Sequence, residues 1–166
     1  MRKTAITAAL LAVLQMTGAA SGCGMQANRT GALTLAGPTA LETGRTVVPV
    51  RMDRSLAGAA RPRLVIEGLR FDAPPGVLYE VYLQNRAGRR ALLGVVNFFN
   101  QGAAYGGSQV GAAASVHSFD ATEALRGLGG RATALVFEPT TGVAGSKAAA
   151  NPSANVRFTA ASIQLR

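Results

Sequence analysis

The 166-residue sequence has no tryptophan, one cysteine, one histidine and two lysines, and only 5% of it is aromatic. Each scarcity excludes something. A single cysteine, Cys23, cannot pair within the chain, so no disulfide framework holds this protein together. A single histidine, His117, cannot furnish a type-3 copper pair or a zinc site, both of which need several ligands from one chain. A histidine beside strand residues is read as a hydrogen-bonded structural residue, and Ser115, Ser118 and Asp120 around it form a strand-and-cap composition rather than a nucleophile with its base. Gly106-Gly107 is not followed by Gly-Lys-Ser/Thr, which removes a phosphate loop. Met25 and Met52 read as linker or packing residues rather than soft metal ligands. No apolar run is long enough to span a bilayer.

The longest apolar stretch, Ala5 to Met16, follows Arg2 and Lys3 and is about a dozen residues long, the length of a signal peptide's hydrophobic region. Two processing routes fit what comes next. Gly18-Ala19-Ala20 suits an ordinary signal peptidase acting after Ala20. Ala20-Ser21-Gly22-Cys23 resembles a bacterial lipobox with alanine in place of the usual leucine; processing there makes Cys23 the acylated N-terminus and a membrane anchor. Residues 1–23 are thus expected to be a signal peptide, 24–44 a flexible linker, and 45–166 a single domain in the bacterial cell envelope, in the periplasm or on the outer surface. Such a length supports a core without staples.

The 17 Lys and Arg against 8 Asp and Glu make the chain strongly basic. The cations are scattered over Arg51 with Arg54, Arg61 with Arg63, and Arg86 with Arg89 and Arg90, whereas a nucleic-acid-binding domain concentrates them on one element. The reading is a solvated basic surface and no nucleic-acid partner.

Hydrophobic spacing predicts an all-β chain: a small β-sandwich of about seven strands with one short helix, its turns recurring at roughly ten-residue intervals. Thr46 to Met52 reads as a strand that Pro49 confines to a sheet edge. Arg63 to Arg70 places Leu64, Ile66 and Gly68 on one face and Val65, Glu67 and Leu69 on the other. The turn at Ala73-Pro74-Pro75-Gly76 launches Val77 to Gln84, and Ala91 to Phe99 returns beside it. Val116 to Ala121, Ala132 to Glu138 and Asn155 to Leu165 complete the strands, the last alternating Val156, Phe158, Ala160 against Arg157, Thr159, Ala161. Asp120 and Glu123 have capping-box spacing for a helix over Ala121 to Leu128, which Gly129-Gly130 ends.

On the strand Val77 to Gln84, Tyr79 and Tyr82 point to opposite faces, one to the core and one outward. The Gly/Ala-rich stretch between Asn100 and Ser115 reads as a long surface loop presenting Tyr105. Cys23 is the candidate lipidation site. No catalytic residue, metal ligand or cofactor site is assigned, and the chain is read as not an enzyme.

Leu64-Val65-Ile66-Glu67-Gly68-Leu69, Pro75-Gly76-Val77-Leu78-Tyr79-Glu80-Val81-Tyr82-Leu83, Gly94 to Phe99, Phe119-Asp120-Ala121-Thr122 and Ala134 to Pro139, in that order, resemble the C-terminal domain of the tyrosinase and polyphenol oxidase family. The resemblance implies a β-sandwich that rests on a helical domain carrying two coppers held by six histidines. That catalytic domain is missing from this sequence. The resemblance therefore implies an accessory module that docks on, and shields or stabilises, a separately encoded tyrosinase-like di-copper protein, with Tyr82 and Tyr105 as the candidate partner contacts. The alternative is a surface lipoprotein or binding module that reuses the sandwich without copper.

Overall fold

Strict alternation along Leu78 to Gln84 makes a strand whose Tyr79, Val81 and Leu83 all face inward and are at most 1% exposed. Around it, the computed structural model places ten strands, one helix and one 3-10 turn; it describes residues 32–52, 55–98, 114–143 and 146–165. The strands are β1 (Ala32–Ala36), β2 (Thr39–Ala40), β3 (Thr46–Pro49), β4 (Arg63–Leu69), β5 (Leu78–Gln84), β6 (Arg90–Val96), β7 (Ser115–Asp120), β8 (Ala134–Thr140), β9 (Arg157–Phe158) and β10 (Ala160–Gln164), with the helix α1 (Thr122–Gly127) between β7 and β8. Two four-stranded antiparallel sheets, β1-β10-β4-β7 and β3-β8-β5-β6, face each other, and β2 pairs with β9 in a separate two-stranded ladder. The chain is an all-β sandwich with one short helix.

The core lies between the sheets. Leu64, Ile66, Leu69 and Ile163 from the first meet Tyr79, Val81, Leu83, Leu135 and Phe137 from the second. Burying each such side chain contributes about 1.5–3 kcal/mol. Phe137 stacks obliquely on Phe158 with ring centroids 5.5 Å apart, and Phe98 meets Phe71 and Tyr79 edge-on at 5.4 and 6.0 Å. Pro49 sits in β3 at an edge of the second sheet, the position open to a residue that cannot donate to a ladder.

Five expectations need correction. The sandwich begins before residue 45: β1 and β2 lie in the segment expected to be linker, β1 pairs with β10, and Leu35 and Leu41 are core residues. The expected count of about seven strands rises to ten because of these two and because the closing strand divides into β9 and β10. Leu69 joins Leu64 and Ile66 in the core rather than facing out with Glu67, because the β4–β7 register shifts between Ile66 and Leu69 at a bulge where Gly68 has φ 67°. A complementary slip follows at Thr159, whose N–H and Oγ1 both donate to the Glu67 carbonyl, and beyond it Ala161 replaces Ala160 as the inward residue.

The capping box does not form either. Asp120 Oδ1 accepts from the Thr122 N–H at 2.8 Å, Ala121 takes the cap position without a side-chain bond, and Glu123 pairs with Arg126. The helix does end at the glycines: Gly130 N–H donates to Leu125 O and Gly129 N–H to Arg126 O, the Schellman pattern that positive φ at Gly129 permits.

Candidate functional site

Antiparallel pairing aligns residues from all four strands of the second sheet into rows. One outward row runs Val47, Val136, Tyr82, Leu92, from β3 through β8 and β5 to β6. Its ends are open, Val47 at 46% and Leu92 at 54% exposure, and Val95 stands beside it at 41%. Val136, in the middle, is wholly covered by its neighbours, although it faces away from the core.

Charged groups frame this apolar row. Glu80 and Glu138 are direct cross-strand partners, a pairing that repels unless cations or donors offset it. Here Glu138 is held by Arg90 Nη1 and by Arg45 Nε, the latter at 3.3 Å, and Arg45 Nη2 also donates to Gln84 Oε1 at 3.0 Å. Glu80 Oε2 accepts from the Tyr82 hydroxyl at 2.6 Å, while the Arg90 guanidinium carbon lies 5.0 Å from the centroid of the Tyr82 ring. The hydrogen bond to Glu80 is the main cause that pushes the Tyr82 phenol up to about 12; burial and the negative charges of Glu80 and Glu138 add to it, and Arg90 opposes it. Tyr82 thus carries its proton through the neutral range and is locked in orientation by ring and hydroxyl together. The arrangement presents a fixed aromatic face between two aliphatic side chains, bordered by paired charges.

The expected division of the two tyrosines holds: Tyr79 is buried, its hydroxyl donating to Glu42 O at 3.4 Å, and burial raises its pKa. His117 lies half-buried on β7, on the same face as Phe119; its Nε2 is 3.2 Å from Ser115 Oγ, and burial lowers its pKa. Met52 Sδ accepts from the Ala132 N–H at 3.1 Å, tying β3's exit to the segment before β8. Cys23 and Tyr105 lie outside the described residues. Sequence alternation placed Tyr82 outward but did not reveal Val47, Leu92, Glu138 or Arg45 as its neighbours, because each comes from another strand and only the register joins them.

No family model matches the chain, and no curated protein matches it.

Proposed function

We propose that the chain is an exported, non-catalytic accessory module whose second-sheet outer face docks on a separately encoded tyrosinase-like di-copper protein and shields or stabilises it. The observation that carries the docking face is the row Val47, Val136, Tyr82 and Leu92. An outward sheet face that met only water would alternate to polar residues here, whereas this one keeps three aliphatic side chains and an aromatic in line. Tyr82 suits the centre of such a contact, since its ring is already ordered by Arg90 and its hydroxyl by Glu80, so little side-chain freedom is lost on association. The identity of the partner rests on the resemblance to the accessory domain of tyrosinases. Export, and membrane attachment through Cys23, rest on the N-terminal segment.

The test is affinity recovery of the protein with its partners from the native envelope, read by mass spectrometry. The expected result is a histidine-rich copper oxidase that is lost with Leu92→Asp and retained with Ser118→Asp, which adds the same charge to the other sheet. Recovery of envelope polymers alone would favour the reused binding module. Phenol oxidation by the purified protein without a partner would overturn both readings.

A further inference from the structure

A second feature lies at one end of the sandwich. The connector from β3 to β4 and the connector from β7 through α1 to β8 run side by side there, joined by Leu56 N–H to Gly130 O, Val50 N–H to Thr133 O and Ala121 N–H to Pro62 O. Between them and the β5–β6 turn opens a depression of about 660 Å³. Its apolar floor includes Val50, Met52, Leu128 and Ala132, and its rim carries Arg51, Arg86 and Arg131. Among the described residues no carboxylate lines it, and none of the three arginines has an ion-pair partner. Asn85 adds a donor: its Oδ1 is taken by the N–H groups of Ala87 and Arg89, which leaves the amide nitrogen for a ligand. The described acidic groups at this end are engaged elsewhere, Glu123 with Arg126, and Asp120 with the Thr122 N–H in the field of Arg63 and Arg61. Guanidinium groups and an amide around an apolar floor suit oxyanions on an amphiphile.

The register shows where this end points. Ala32 pairs with Gln164, Gln164 with Arg63 and Arg63 with Asp120, so the first described residue of the chain lies at the same end as the depression. Gly24 to Gly31, the eight residues between Cys23 and Ala32, span at most roughly 30 Å when fully extended. A lipid on Cys23 would therefore attach the chain through this end of the sandwich.

We propose that the arginine-rimmed depression seats the phosphate groups of an anionic phospholipid surface, a second contact that orients the sandwich on the membrane. A diacylated cysteine anchors without help but leaves the domain free to turn, and a basic patch against anionic headgroups would fix its orientation. The proposal rests on the reading of the chain as a lipid-anchored envelope protein, and its test leaves the anchor out. Full-length Cys23→Ser protein is sedimented with vesicles of phosphatidylglycerol and phosphatidylcholine. Each basic side chain held at an anionic surface contributes about fivefold in partitioning. Combined Arg51→Gln, Arg86→Gln and Arg131→Gln is therefore expected to weaken binding by roughly a hundredfold at low salt. Combined Arg70→Gln, Lys147→Gln and Arg157→Gln, at the opposite end, removes the same charge and is expected to change binding much less. Equal losses from the two sets would reduce the effect to net charge and overturn the proposal, as would no loss from the first. Inorganic phosphate is the remaining arm: calorimetric binding of free phosphate that disappears with the first set, with vesicle binding unchanged, would assign the depression to a soluble anion instead. The anchor reading fails separately, when Cys23→Ser leaves membrane fractionation in cells unaltered.

Discussion

Across the first sheet the outward row is Thr34, Ser162, Val65 and Ser118; across the second it is Val47, Val136, Tyr82 and Leu92. Both rows cross four antiparallel strands and both cover a valine, Val65 at 6% exposure and Val136 at 0%. Their neighbours differ. Val65 is flanked by hydroxyls, and Ser118 Oγ accepts from Arg63 Nε at 2.8 Å, so that surface already resembles the hydrated side of a sandwich. Val136 is covered by Val47 and Tyr82, apolar groups that remain partly open themselves. Folding accounts for the covered Val136 but not for the open Val47 and Leu92 on the same row, and such a surplus of apolar surface is what a contact face would carry.

The largest expected effect tests that contrast directly. Val136→Asp puts an unpaired carboxylate under Val47 and Tyr82 and beside Glu138, and is expected to destabilise the fold by about 3 kcal/mol. Ser162→Asp, in a central strand of the other sheet, replaces a half-buried hydroxyl on a polar row and should cost less than about 1 kcal/mol. Urea unfolding midpoints at constant slope measure both. Equal costs would mean that the two rows are energetically alike and that the second is ordinary surface.

A smaller effect concerns how each sheet is bent to bring these rows into place. The second sheet carries its irregularity in β6, where Gly94 lets the Phe119 ring approach so closely that a Cβ would lie 2.7 Å from it. In the first sheet the bulge sits within β4, and a Cβ on Gly68 would lie 2.2 Å from Thr159 Oγ1 in a backbone of φ +67°. Gly68→Ala is expected to cost about 2 kcal/mol from strain and overpacking together. In a Thr159→Ala background the same change should cost about 1 kcal/mol less, since the Oγ1 and Cγ2 contacts go while the Cβ contact at 3.0 Å and the left-handed backbone remain. A double-mutant cycle by denaturant unfolding reads the difference, and an absence of coupling would break the link between the bulge and the strand slip.

These irregularities also mark how far the residues alone reveal the fold. The alternation in β5 is uninterrupted, so its inward tyrosine and outward tyrosine were both legible, and Pro49 announced an edge. In β4, period two fails at Gly68, and nothing local tells a glycine that continues a strand from one that bulges it. Leu69 was therefore placed on the wrong face. The short β1, Ala-Leu-Thr-Leu-Ala, reads as linker because its stability comes from β10, more than a hundred residues away. The apolar outward row was half legible for a similar reason: alternation shows which face Tyr82 takes, while its neighbours along the row are set by long-range pairing. The arginine-rimmed depression was least legible, since Arg51, Arg86 and Arg131 come from three connectors that look like scattered charge.

The smallest effect is on a proton. Tyr82 and Glu80 lie on the same outward face of β5, and the carboxylate that accepts the phenol's hydrogen bond also repels the phenolate, so Tyr82 ionises at about 12 rather than at its ordinary 10.0. A group whose pKa is higher in the folded state binds the extra proton only when folded. The stability this contributes is complete below the unfolded value and is lost as pH rises from 10.0 through about 12. At neutral pH nothing changes, which is why the effect is confined to titration. Absorbance of tyrosinate against pH, read in a Tyr79→Phe background because burial also raises Tyr79, is expected to show a late step that Tyr82→Phe removes. Glu80→Gln should shift that step downward toward 10.0, because the charge is gone and a neutral amide oxygen accepts less strongly, while burial and Glu138 continue to hold it somewhat high. If the late step persisted unmoved in Glu80→Gln, the hydroxyl would not be held by that carboxylate. The ring would then be free to turn, and the second face would lose the preorganised aromatic that distinguishes it from the first.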